Sequence, residues 1–305
     1  MTKFNVLILG SASAAPTLKR NQTSQLINVN DHYYLVDCGE GTQRQMRKYK
    51  VSFSKINHIF ISHLHGDHFF GLIGLISTFG ILNREKELHI YGPKGIKEVT
   101  NLQLKVSKSY VKFDLIFHEL TSKNSELIFE DENVSVTTIP LSHRVYTNGF
   151  LFREKEAKRK LHIENIQQYP EIQTCDYHNI KAGKDVVLES GEIIKNEELT
   201  LPPAKTKSFA FCSDTSYKED IVPMIKDVDL LYHEATFLSD REDLAIKTKH
   251  STAKQAAQIA LQANANQLVI GHYSSRYKNI NAFKEEAEVI FSKVILAEAG
   301  KKISL

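Results

Sequence analysis

Six consecutive residues, His63-Leu64-His65-Gly66-Asp67-His68, place four metal-capable side chains just past an apolar run, NHIFISH (57–63), that reads as a strand. In extended backbone, side chains two apart point the same way, so His63 and His65 can aim at one ion. Gly66 permits a sharp turn, after which Asp67 and His68 can face a second ion displaced from the first. Imidazole and carboxylate suit Zn²⁺, which takes such nitrogen and oxygen atoms at about 2.0–2.2 Å. Two ions need more ligands than the hexapeptide holds. His143, Asp214 and His272 fall at or near the ends of predicted strands (133–143, 208–214 and 267–274), where a sheet can aim them at a common edge. Singly, each is an ordinary cap or core residue; together they supply what is missing. This gives His63, His65 and His143 on one zinc ion and Asp67, His68 and His272 on the other. Asp214 lies between, because the two oxygens of a carboxylate can each meet one metal. A water held by the pair is then the hydrolytic nucleophile.

The elements that must position these residues alternate along the chain. FNVLILG (4–10) reads as a strand, QLINVN and HYYLVDC (32–38) as a hairpin through Asn30-Asp31, and GEGTQRQMRKY as a short helix with a basic face. A long apolar helix follows the hexapeptide, then strand 88–93, a helix over 94–107 and strands near 113–120, 125–130, 133–143 and 148–152. After residue 207 the pattern resumes with strands 208–214 and 229–237, helix 251–265, strand 267–274, a helix from Asn281, and one closing strand, VILAEAGKKISL. Between them, residues 153–207 are poor in apolar runs and carry ten basic and ten acidic residues. The stretch reads equally as a projecting insertion and as a small irregular subdomain packed on the body.

Composition bounds the rest. The chain has 305 residues, 42% hydrophobic and 25% charged, enough to bury a core and to exclude disorder, collagen or coiled coil as the main architecture. The net charge of +3 alone does not argue for nucleic acid, but residues 1–60 hold eight Lys/Arg against three acids, and residues 94–112 five lysines against Glu98. These are either solvated helix faces or surfaces that meet a polyanion. Three cysteines without a CxxC point to a reducing compartment and a cytoplasmic location. The N-terminus lacks the apolar stretch of a signal peptide, and no run of 18 apolar residues spans a membrane. LILGSASAAP has one glycine where a dinucleotide fingerprint needs three, so no nucleotide cofactor is expected.

HLHGDH resembles the metal motif of the metallo-β-lactamase superfamily, and the strand–helix order fits its α/β, four-layer αββα sandwich. The whole chain resembles the ribonuclease Z family, the endonucleases that mature the 3′ end of transfer RNA, through LGSASAAPTLKRN (9–21), DCGEGTQRQM (37–46), FISHLHGDHFFGLIGL (60–75), YGPKGI (91–96), SDT (213–215), HEATF (233–237), HST (250–252) and HYSSRY (272–277). The resemblance implies a single domain over 1–305 with 153–207 as an inserted, flexible tRNA-binding arm that lacks the Gly-Pro element common in the long-arm bacterial form. It implies precursor tRNA as substrate, with a 3′-hydroxyl left on the tRNA and a 5′-phosphate on the trailer, and a homodimer in which one subunit's arm presents tRNA to the other's site. It makes His250 the general acid toward the leaving 3′ oxygen, Glu234 its orienting partner, and Asp67 a proton acceptor as well as a ligand. Ser274 and Arg276 grip the phosphate, and basic residues at the arm's base (Arg153, Lys155, Lys158, Arg159, Lys160, Lys205 and Lys207) contact the backbone. On the residues alone, His250 is also a neighbour of a helix cap, Glu234 a buried ion pair, and Tyr277 core as readily as contact. The alternatives are a small-molecule phosphodiesterase, arylsulfatase or lactonase on the same fold, a di-iron redox relative, which carries a carboxylate where His65 stands, and a non-catalytic RNA-binding relative.

Overall fold

Asn30 and Asp31 both adopt positive φ (50° and 66°) and close the tight hairpin joining Ser24–Val29 to His32–Val36, the conformation two-residue hairpin loops require. The computed structural model describes residues 3–305; the first two residues of the expected domain lie outside them. The chain forms two compact units, Lys3–Arg153 with Lys207–Leu305, and Glu154–Thr206.

The larger unit contains two seven-stranded sheets. The first runs Lys302–Ser304, Phe4–Gly10, Ser24–Val29, His32–Val36, Ile56–Phe60, Leu88–Pro93, Leu115–Leu120. The second runs Val294–Leu296, Gln267–Gly271, Leu230–Glu234, Ser208–Cys212, Asn148–Glu154, Val134–Pro140, Leu127–Glu130. Three buried clusters define four layers. Val6, Ile27, Tyr34 and Phe60 of the first sheet meet Phe150, Phe209, Phe211 and Val269 of the second. Helices Thr42–Lys48 and Gly71–Ile81 cover the outer face of the first sheet through Met46, Leu72, Leu75 and Ile76. Ala253–Gln262 and Asn281–Glu288 cover the second through Ala256, Ala257, Ala260 and Phe283. This is the αββα sandwich.

The closing segment departs from the single strand its sequence suggests. Val294–Leu296 pairs with Gln267–Gly271 in the second sheet, whereas Lys302–Ser304 pairs with Phe4–Gly10 in the first. Gly300, at φ +94°, turns the chain between them, a conformation glycine adopts without strain. The expected long apolar helix is present as Gly71–Ile81, and a separate short turn of helix, Gly66–Phe69, precedes it within the hexapeptide, with Phe70 exposed at the junction.

Residues 154–206 hold a core of their own: Ile166, Ile172, Ile180, Ile194 and Leu199. Lys160–Leu161 pairs with Thr200–Leu201, and Val186–Val187 with Ile193–Ile194. The buried Asn196 amide donates to the carbonyls of Ile180 and Lys184.

The helix Gly71–Ile81 begins with a close backbone approach to the Cys38–Gly39 loop. Gly71 donates its amide to Cys38 O at 2.9 Å, and a Cβ at Gly71 would lie 2.1 Å from Gly39 O. Gly71→Ala is therefore expected to push the helix from this loop and cost about 1–3 kcal/mol, read as a lower urea midpoint at an unchanged slope.

Candidate metal centre

The site lies where parallel strands end together. Ser208–Cys212, Leu230–Glu234 and Gln267–Gly271 run parallel, so Asp214, Glu234 and His272 emerge on one edge. In the first sheet His32–Val36 and Ile56–Phe60 are parallel, so Asp37 and His63 emerge together. The ligand candidates occupy the loops beyond the strands rather than strand termini: Val134–Pro140 stops three residues before His143, and Ser208–Cys212 two before Asp214. Asp37, Asp214 and His272 all adopt positive φ, at 56°, 54° and 62°. This conformation is costly for such residues and turns their side chains across the sheet edge.

The structure gathers all seven candidates. Ligand atoms of His63, His65, His143 and Asp214 lie within 4.8 Å of one another, as do those of Asp67, His68 and His272. Asp214 joins the groups: Oδ1 lies 3.2 Å from His68 Nε2 and 3.1 Å from His272 Nε2, and Oδ2 lies 3.5 Å from His63 Nε2 and 3.7 Å from His143 Nε2. Other separations are 3.0 Å between His63 Nε2 and His65 Nδ1, 3.3 Å between His65 Nδ1 and His143 Nε2, and 3.3 Å between Asp67 Oδ2 and His272 Nε2. Tetrahedral ligands about 2.0–2.1 Å from an ion stand about 3.3 Å apart, the middle of this range.

The surrounding hydrogen bonds fix which nitrogen faces inward. His68 Nδ1 donates to Asp37 Oδ2 at 2.6 Å. Ser62 gives its hydroxyl to the same carboxylate and accepts from His63 Nδ1 at 3.0 Å. His143 Nδ1 donates to Lys249 O at 2.9 Å. Thr236 donates to Glu234 Oε2 at 2.7 Å and accepts from His272 Nδ1 at 2.9 Å. Each of these four histidines therefore turns Nε2 inward, the nitrogen a metal ion would take in place of a proton. His65 alone presents Nδ1. The donor set fits a pair of divalent cations.

The charges agree. Burial raises Asp214's pKa, but His272, His68 and His63 outweigh it and hold the carboxyl well below its ordinary value. For His68 the opposite balance holds: burial lowers it, while Asp214, Asp37 and Asp67 hold it well above. Burial dominates at His63 and His143 and lowers both.

His250 stands at the rim, with a ring nitrogen within 4.8 Å of ligand atoms of Asp214 and His272. Its Nδ1 donates to the fully buried Glu234 at 2.8 Å. Burial lowers the His250 pKa, but the charge and hydrogen bond of Glu234 outweigh it and raise it to about 9. Glu234 is pushed up by burial and brought below its ordinary value by His250. A cavity of about 300 Å³ opens over the centre, lined among others by Asp67, His250, Ser274 and Arg276. Ser274 is buried and Arg276 exposed. Tyr277 packs partly buried against the second-sheet core.

Four residues not singled out from sequence belong to this arrangement: Asp37 and Thr236, which orient the histidines; exposed Arg144, which lines the cavity beside His143; and Arg20, whose guanidinium donates to Tyr277 O at 2.9 Å and steadies the Ser274–Tyr277 turn. Arg20, Asp37 and Thr236 lie inside segments that carry the family resemblance (9–21, 37–46 and 233–237), and Arg144 lies next to His143.

The comparisons define the class and then the family. A family model described as Anti-Pycsar protein Apyc1 matches residues 4–158. The metallo-β-lactamase fold protein YhfI from Bacillus subtilis superposes with TM-score 0.70 over 100% of both chains at 18% identity, so the chain has the metallo-β-lactamase fold. It is 46% identical to Ribonuclease Z of Bacteroides thetaiotaomicron, covering 100% of this chain and 96% of that one, and 45% identical to Ribonuclease Z of Porphyromonas gingivalis over the full length of both. Human tRNase Z, short form (ELAC1), aligns with TM-score 0.72 and 28% identity over 98% of each chain. The chain belongs to the ribonuclease Z family, and its first half also falls in the family that the Apyc1 model describes.

Asp37→Ala removes the acceptor that fixes His68 while leaving every proposed ligand in place. Metal affinity is expected to fall about 10–100-fold, measured by chelator competition, with one ion lost before the other.

Proposed function

We propose that this protein is a zinc-dependent endoribonuclease that removes the 3′ trailer from precursor tRNA, leaving a 3′-hydroxyl on the tRNA and a 5′-phosphate on the trailer. The observation that carries the metal chemistry is the Asp214 carboxylate, one oxygen toward each ligand group. His63, His65 and His143 would hold one zinc ion, Asp67, His68 and His272 the other, and Asp214 both. When bound, the pair supplies Lewis acidity at the scissile phosphate and lowers the pKa of a water. Asp67 turns Oδ2 toward His68 and His272, leaving Oδ1 to accept a proton. Ser274, Arg276 and Arg144 line the cavity and would bind the phosphate, where a guanidinium fork fits two oxygens. His250 keeps Nδ1–H on Glu234 and has Nε2 to deliver a proton to the departing 3′ oxygen. Glu234 acts through His250 as a positioning residue.

Residues 153–207 are proposed as the tRNA-binding arm, inserted in a single 1–305 domain. Supporting this, Lys158, Arg159, Lys160 and Lys181 line a cavity of about 470 Å³ within the smaller unit. A homodimer is proposed as well; Phe70 and Ile81, 60% and 79% exposed at the two ends of one apolar helix, offer surface for a second copy. No helix among the described residues is long and apolar enough to cross a membrane, and the three cysteines are free, which supports a cytoplasmic setting.

Incubation with a precursor tRNA bearing a trailer is expected to give one cut after the discriminator nucleotide. A chain that turns over nitrophenyl phosphodiesters but leaves the precursor intact would be a small-molecule hydrolase instead. His250→Ala is expected to slow tRNA cleavage about 10²–10⁴-fold with metal content retained, and to slow a nitrophenyl diester much less, because that leaving group needs no proton. An equal loss on both would make His250 structural or a ligand.

Replacing Lys155–Lys205 with a short Gly-Ser linker is expected to spare small-diester hydrolysis, raise the KM for precursor tRNA and flatten the salt dependence of binding. Unchanged tRNA binding with an unchanged salt slope would remove the arm's role.

A further inference from the structure

Lys249 stands between the helix Glu242–Thr248 and His250, the proposed proton donor. It closes that helix with φ 57° and ψ 53°, in the left-handed region. Its amide donates to Ile246 O at 3.3 Å, and that of His250 to Ala245 O at 2.9 Å. This pair of bonds is a common way for a helix to end on a left-handed residue, and the residue there is usually glycine. A side chain with a Cβ is strained in that conformation. Lysine has neither the freedom of glycine nor the short polar side chain that lets Asn or Asp adopt it. Something besides helix termination therefore favours a lysine at this position.

The same residue grips His143 twice. Lys249 O accepts from His143 Nδ1 at 2.9 Å, and Lys249 Nζ donates to His143 O at 3.2 Å. The two residues are 106 positions apart in sequence. The loop that carries His143 is also held one residue earlier: the Ser142 amide donates to Thr215 Oγ1 at 3.1 Å, and Ser142 O accepts from the Ser216 amide at 2.9 Å. At His143 itself, the Lys249 carbonyl orients the ring and the Lys249 ammonium holds the backbone. His250 follows directly in sequence, and its ring centroid lies 5.0 Å from that of His143. Thr248 and His250 both line the cavity over the centre, whereas Lys249 between them does not. Its ammonium is engaged on the ligand loop rather than in the space a substrate phosphate would fill.

We propose that Lys249 is a positioning residue, whose left-handed backbone and ammonium together hold the ligand His143 and the proton donor His250 in one fixed relation. The part that concerns His250 rests on the function proposed above; the grip on His143 does not. A glycine at this position would end the helix with less strain and would lack the ammonium. The lysine gives up stability at the helix end and gains alignment of the centre.

Lys249 is exposed, so its substitution should leave the core intact. In the full chain, Lys249→Gly is expected to keep or raise the urea midpoint. Its zinc affinity, measured by chelator competition, should nevertheless fall about tenfold for one of the two ions, the low end for loss of an orienting partner, because the carbonyl remains. At saturating zinc its kcat on precursor tRNA should fall about tenfold through misplacement of His250, with KM within about twofold of wild type. Turnover of a nitrophenyl diester should fall less. Lys249→Met, which keeps the strain and loses the cation, should match Lys249→Gly in kcat without a gain in stability. Lys249→Arg should restore most of the wild-type kcat. A glycine variant that is as stable as wild type, with unchanged zinc affinity and unchanged kcat, would make Lys249 a helix end only and overturn the proposal. A raised KM with a flatter salt dependence and an unchanged kcat would make it a phosphate contact and overturn it too. If the wild type binds zinc but leaves precursor tRNA intact, the proposed function fails, and the zinc affinity of Lys249→Gly then decides alone whether Lys249 holds His143.

Discussion

A carboxylate buried between four imidazoles is the constraint on which the rest of this structure depends. Asp214 is 2% exposed, and its two oxygens serve two different ligand groups. Asp37, Asp67 and Glu234 are buried beside it. Burying so many ionisable groups is costly unless each meets an opposite charge or a full set of hydrogen bonds. The surrounding structure supplies the bonds, through Ser62, Thr236 and the Lys249 carbonyl, and leaves ring nitrogens and carboxylate oxygens facing inward. A pair of divalent cations would satisfy that inward face.

Holding Asp214 in this place explains the backbone around it. A residue still in the strand would point its side chain above or below the sheet. At positive φ just past the strand, Asp37, Asp214 and His272 reach across the edge. Parallel strands in both sheets end at that edge, and the close approach of Gly71 to the Cys38–Gly39 loop holds the first-sheet part of the site together. The packing of helix on loop and the geometry of the site are thus one problem, because Asp37 orients His68 and the helix Gly71–Ile81 packs on the loop that follows Asp37.

The hexapeptide was legible because its chemistry is local: residue type, spacing and the preceding strand all lie in one stretch. His143, Asp214 and His272 were legible as residues near strand ends, although the strands stop short of them. Asp37 and Thr236 were not, since their roles appear only when distant segments meet: Asp37 lies 31 positions from His68, and Thr236 36 from His272. The layered α/β order followed from the alternation of apolar runs. The division of the last strand did not, because VILAEAGKKISL is continuous in pattern and only its pairing separates it. Residues 154–206 stood out by composition, while their isoleucine core was hidden because its members are spaced singly, without a helical or strand period.

The most direct test of the account is metal content measured by mass spectrometry on purified protein, wild type against Asp214→Ala. The account predicts about two zinc ions per wild-type chain. In Asp214→Ala it predicts one or none, in a protein with unchanged circular dichroism and with precursor tRNA cleavage abolished. Wild-type metal content and cleavage in Asp214→Ala would contradict it.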